Sequence, residues 1–256
     1  MNRLFLCLII MKQKYKNYTE EDFEVWKILF NRQFDNLQDK GSQKYLDCLM
    51  AMKEVLHAHK IPDFEELNAF LNAHTGWQIE VVKGLIPVND FFELLSQQKF
   101  CSSTWLRKKS QIDYLEEPDM FHDIFGHIPL LLNPSFARFT RKLGELGVQY
   151  KDHPFILLGL QRLYWFTIEF GLIKENNVIK SYGAGIMSSF GETNHIQNDL
   201  IEIEPYQIQE IVNQKFVTDK IQNRYRIIES FDELFQSIPV LEGVFSLQKN
   251  NLIPTF

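Results

Sequence analysis

Pro118-Asp119-Met120-Phe121-His122-Asp123-Ile124-Phe125-Gly126-His127-Ile128-Pro129 sets two histidines five positions apart in an otherwise apolar run, with Asp119 and Asp123 alongside. Two neutral imidazoles held near each other are the commonest beginning of a transition-metal site. On a regular helix each residue advances roughly 100°, so the two rings would point about 140° apart. They cannot share a face, and the helix must end or distort between them; Gly126 and Pro129 supply the means. The spacing also differs from HExxH, in which histidines four apart share a face and the intervening Glu serves as base. Asp123, beside the first His, does not reproduce that geometry, and a zinc-protease reading weakens. The two aspartates are placed to orient ring N–H groups. A lone His is more often a hydrogen-bonded core or surface residue; two at this spacing favour a metal.

A third ligand has to come from another segment. Leu163-Tyr164-Trp165-Phe166-Thr167-Ile168-Glu169-Phe170-Gly171-Leu172 is apolar nearly throughout, and Glu169 is its one charged side chain. A lone carboxylate buried there is costly unless neutralised or paired. A divalent cation offsets that cost; an ion pair with Arg162 or Arg107 is the structural alternative. Two histidines and a carboxylate, without a thiolate, fit either zinc hydrolysis or the facial triad of non-haem iron(II). Spacing alone leaves both open, along with a non-catalytic metal-binding protein.

The 256-residue chain is 45% hydrophobic and 23% charged, ordinary for a globular protein able to bury a substantial core, to which most of its 22 Phe belong. A net charge of −6 argues against nucleic acid as a partner. Cys7, Cys48 and Cys101 are scattered, which speaks against a disulfide framework and for a reducing cytoplasm. Leu4–Ile10 is too short an apolar run to span a bilayer, so no membrane partner is expected. Helix starts are marked by Thr19-Glu20-Glu21-Asp22, Asp63, Asn89 (capping Asp90–Gln98), Asn133-Pro134 and Ser230-Phe231-Asp232-Glu233. Trp77–Val82 reads as a short strand, with Phe216–Thr218 and Arg226–Ile228 as weaker candidates. No repeat or linker divides the chain. One mostly helical α+β domain is expected.

The runs EPDMFHDIFGHIPLL (Glu117–Leu131), LYWFTIEFGL (Leu163–Leu172) and SYGAGIMSSFGE (Ser181–Glu192) strongly resemble the pterin-dependent aromatic amino acid hydroxylases, and most of all the compact bacterial phenylalanine 4-monooxygenases. The likeness extends upstream through Ile61–Ile79, Gly84–Leu95 and Thr104–Asp119, and covers roughly Tyr18 to Phe231. It implies a single helical catalytic domain with a few short strands over residues 18–256, after an N-terminal extension, residues 1–17, expected to be disordered. It also implies Fe(II) held by His122, His127 and Glu169, a tetrahydropterin cofactor such as tetrahydrobiopterin, O2 as co-substrate, and hydroxylation of L-Phe to L-Tyr.

By the same resemblance Arg107 takes the substrate carboxylate, as a planar, always-charged fork can. Ser188 supports substrate binding, and Pro118 and Trp165 form a flat apolar slot for the ring. Phe91 stacks on the pterin, with Gly84 and Ile86 from the same loop and Tyr164 from the iron side. Trp165 is the residue type expected for Phe or Tyr as substrate, whereas tryptophan hydroxylases carry Phe there; tyrosine or tryptophan hydroxylation is the alternative. Thr218-Asp219 falls in a loop where tyrosine-hydroxylating relatives carry Asp. A cytoplasmic monomer is expected.

Overall fold

A computed structural model describes residues 11–113, 117–198, 200–218 and 220–249. The run Leu4–Ile10 and Asp219 lie outside the described residues. The helices are α1 (Glu20–Leu37), α2 (Gln43–Ala51), α3 (Phe64–His74), α4 (Val88–Ser96), α5 (Pro134–Gln149), α6 (Pro154–Tyr164), α7 (Ala184–Met187), α8 (Phe190–His195), α9 (Ile208–Ile211), α10 (Phe231–Gln236) and α11 (Ile238–Lys249). Two turns of π-helix, His122–His127 and Trp165–Glu169, interrupt this series. The strands are β1 (Gln78–Val81), β2 (Lys99–Ser102), β3 (Gly171–Glu175), β4 (Val178–Ser181), β5 (Glu202–Pro205) and β6 (Arg224–Ile228).

Capping side chains start several helices where the sequence places them. Thr19 Oγ1 accepts the Asp22 N–H while Asp22 accepts the Thr19 N–H, a complete capping box. Asp63 caps α3, and Asn133 caps α5 with Pro134 in its first turn. Ser230 accepts the Glu233 N–H, but Glu233 reaches the Glu229 N–H. Asn89 is not a cap: α4 begins at Val88 after Pro87, without a side-chain cap, so Asn89 lies inside the first turn.

β1 and β2 form a parallel pair, and the larger sheet has the order β4-β3-β6-β5. Asn176 and Asn177, at φ of 51° and 62°, turn β3 back onto β4, the left-handed pair that a tight hairpin requires. β3 and β6 run parallel, with Gly171 opposite Arg226. Phe216–Thr218 is not a strand; the Val217 carbonyl is taken by the Gln222 side chain rather than by a ladder. Ahead of Tyr18 the chain is already tied down. Gln13 exchanges hydrogen bonds with Pro62 O and Phe64 N, and Tyr15 donates to Ile61 O. Residues 13–17, expected within a disordered extension, are instead held by the Gln13 and Tyr15 side chains. Among the described residues no helix is long and apolar enough to cross a membrane.

Candidate active site

A π turn closes i→i+5 rings, so residues five apart come to lie almost one above the other. That is the distortion the spacing of His122 and His127 demands, and it widens the helix instead of ending it. The two ring centroids are 5.0 Å apart at 82°. Glu169 closes the second π turn, in which the Phe170 N–H reaches back to Trp165 O at 2.9 Å. Gly126 is needed for close approach: a Cβ there would lie 2.8 Å from the Ala184 carbonyl, where α7 crosses the first π turn. Gly183 meets the second in the same way, its missing Cβ 2.4 Å from the Glu169 carbonyl. Both π turns are thus locked to one short segment.

The donor atoms of His122, His127 and Glu169 all fall within 4.8 Å of one another. Glu169 Oε1 lies 3.0 Å from His127 Nε2, Oε2 lies 3.8 Å from His122 Nε2, and the two Nε2 atoms are 3.2 Å apart. Ser188 fixes one tautomer. Its single hydroxyl hydrogen goes to the Ala184 carbonyl at 2.8 Å, so its 2.9 Å contact with His122 Nδ1 requires Nδ1 to donate. The Nε2 lone pair of His122 therefore faces inward.

Burial, opposed in part by Glu169, holds His122 down at about 4, and it is neutral at pH 7. Burial alone would raise the Glu169 carboxyl, but His127, His122 and the Tyr164 hydroxyl outweigh it and hold it at about 2. An ionised carboxylate and an inward imidazole lone pair crowded together are unfavourable without a cation. The donor set fits a divalent metal.

Neither arginine offered as a partner for Glu169 plays that part. Arg162 Nη1 donates to Val212 O at 2.7 Å. Arg107 forks onto Asp119, with Nε at 2.8 Å and Nη2 at 2.9 Å, and is 8% exposed. Asp119 also accepts the backbone N–H of His122, so it orients the ligand's backbone and not its ring. Asp123 accepts the Ser103 N–H, and burial pushes its carboxyl up to about 7. For His122 the ring-orienting role expected of the aspartates falls on Ser188, which no local spacing reveals.

A cavity of about 500 Å³ opens beside these ligands. Gly84, Ile86, Phe91 and Tyr164 line it together, and Pro118 and Trp165 join them. Phe91 meets Tyr164 edge-on at 5.1 Å, and Tyr164 lies 6.2 Å from the His127 ring at 26°. Trp165 packs against Phe170 at 4.7 Å and Phe216 at 4.8 Å. Arg107 and Ser188 stand behind the wall and do not line the cavity. Phe216, Gln161, Cys101 and Asp123 do line it, and sequence reasoning gave them no such place. Phe216 was masked by its reading as a strand residue.

Residues 12–246 match the biopterin-dependent aromatic amino acid hydroxylase family. The chain is 39% identical over 228 residues to a phenylalanine-4-hydroxylase of Chromobacterium violaceum, covering 89% of this chain and 76% of that one. It is 36% identical over 241 residues to a phenylalanine-4-hydroxylase of Vibrio cholerae, covering 93% and 82%. A crystal structure of the C. violaceum enzyme with bound iron(III) and oxidised cofactor 7,8-dihydrobiopterin superposes with a TM-score of 0.87 at 39% identity, over 94% of this chain and 86% of that one.

Proposed function

The chain belongs to the biopterin-dependent aromatic amino acid hydroxylases, and we propose that it is a phenylalanine 4-monooxygenase converting L-Phe to L-Tyr with Fe(II), a tetrahydropterin and O2. The observation that carries this reading is the His122, His127 and Glu169 triad, its lone pairs turned inward beside an aromatic-walled cavity. Held there, Fe(II) and a tetrahydropterin would supply the reducing chemistry that activates O2 for hydroxylation of an aromatic ring.

The chain's own residues bind and orient. His122, His127 and Glu169 would hold the metal, their three donors lying within 4.8 Å of one another. Phe91 offers a stacking surface for the pterin, with Gly84, Ile86 and Tyr164 around it. Pro118 and Trp165 form an apolar slot for the substrate ring, and such walls exclude water from the reacting centre. Arg107 is the residue we assign to the substrate carboxylate, with the guanidinium hydrogens that Asp119 leaves free, reached past the cavity wall in front of it. Ser188 supports the substrate only through His122, whose ring it holds.

We further infer a single catalytic domain that works as a monomer in the cytoplasm on a small-molecule substrate. The scattered cysteines fit a reducing compartment, and the acidic balance fits a small-molecule substrate better than nucleic acid. Replacing Glu169 by Ala tests the triad: bound iron and tyrosine formation should vanish together. Tight iron binding by the variant contradicts the assignment.

A further inference from the structure

Gln222 is 5% exposed, lies outside the cavity wall, and has every polar group engaged. Its Oε1 accepts the Trp165 indole N–H at 3.1 Å. Its Nε2 donates to Val217 O at 3.0 Å and Lys220 O at 2.9 Å. Its backbone N–H reaches Glu192 Oε1 at 3.3 Å, and its carbonyl accepts the Tyr225 hydroxyl at 2.8 Å. Only one orientation of the amide serves these partners, since an indole nitrogen can only donate and a carbonyl can only accept.

The base of this arrangement is rigid. Tyr225 is fully buried in a small core with Phe170, Leu172 and Ile186, against which Trp165 packs. The far end is not otherwise paired into a sheet: Phe216, which lines the cavity and packs on Trp165 at 4.8 Å, leads straight into the carbonyls that Gln222 holds. Two adjoining rings of the cavity wall, an indole from the second π turn and a phenyl from an irregular segment, thus depend on one amide.

We propose that Gln222 is a positioning residue that places the Trp165 wall of the ring slot, and with it sets the choice among aromatic substrates, by clamping Trp165 and the Phe216 segment packed on it at once. The inference rests on the phenylalanine 4-monooxygenase reading. Two variants separate the halves of the clamp. Gln222→Glu is isosteric and keeps the acceptor for the indole, but sets carboxylate oxygen against the Val217 and Lys220 carbonyls. Gln222→Leu removes both attachments.

The experiment uses the Fe(II)-loaded full chain with a tetrahydropterin, measuring KM for L-Phe and for the pterin, and the preference for Phe over Trp as kcat/KM ratios. Loss of two buried hydrogen bonds in Gln222→Glu and of three in Gln222→Leu should raise KM for Phe about tenfold or more and lower the Phe preference by a similar factor, while KM for the pterin and the iron content hold. Pterin oxidised without tyrosine formed should increase. Unmoved selectivity in both variants overturns the proposal, as does a parallel loss of Phe affinity, pterin affinity and iron, which marks general damage to the fold. If Gln222→Leu does not fold, the isosteric Glu variant decides alone. No tyrosine from the unaltered protein defeats the functional reading instead, so the two failures are distinct.

Discussion

Ser188 and His122 show how much one hydroxyl decides. Because the Ser188 proton is spent on the Ala184 carbonyl, His122 keeps its own proton on Nδ1 and its lone pair inward. Losing such a supporting contact typically weakens metal binding, so Ser188→Ala should lower Fe(II) affinity about ten- to a hundredfold with the fold intact. A metal titration alongside circular dichroism reads both. The same imidazole predicts a pH response of the metal-free protein. Burial lowers His122 from 6.5 to about 4, so on acidification the unfolded chain binds this proton first. The His122 contribution is whole above the unfolded value and is lost as pH falls from about 6.5 to about 4. Asp123, raised to about 7, works in the opposite direction, so the comparison must be a difference. The urea midpoint of the unaltered protein should fall relative to that of His122→Asn between pH 7 and pH 4.5; parallel curves contradict the assignment. The three donors were legible in the sequence because each is a polar group stranded in an apolar run. Ser188's partnership was not, since it joins segments that only the fold brings together, and the Asp119 fork onto Arg107 was hidden likewise.

At the scale of elements, the two π turns carry the chemistry and α7 holds them. Gly183 permits that contact, since any Cβ would meet the Glu169 carbonyl and the Gly171 N at 2.4 Å. Gly183→Ala should therefore displace the second π turn, costing about 1–3 kcal/mol of stability and iron binding with it. Denaturant unfolding and metal content measure the two losses; a fully stable, iron-loaded variant contradicts the packing. Elements were readable where the signal is local. Thr19, Asp63 and Asn133 act on backbone groups within three residues, and a histidine spacing of five announces a distorted helix. They were unreadable where the partner is remote. β3 pairs with β6 across more than fifty residues of chain and has too few alternating positions to show a period, whereas β6 was signalled in part by Arg226–Ile228. Phe216–Thr218 has strand-like composition but no strand beside it, and Asn89 has cap chemistry one position inside a helix that Pro87 already starts.

For the whole molecule, the α+β body brings five distant stretches of sequence to one cavity: the loop before α4 with the start of that helix, β2, the first π turn, the second π turn, and the Phe216 segment. The overall class was legible from composition and helix signals; the cavity's far wall was not, because it is built from an irregular segment held by Gln222. Substrate choice is a property of that assembled cavity and of no single motif. The most direct test of the account is therefore a product assay. The chain is reconstituted with Fe(II) under anaerobic conditions and given a tetrahydropterin with L-Phe, L-Tyr and L-Trp in parallel, with and without O2, and the products are identified by mass. Tyrosine should form from L-Phe only with iron, pterin and O2 all present, and in preference to products from the other two. Turnover without oxygen, or pterin oxidation that yields no tyrosine, would contradict it.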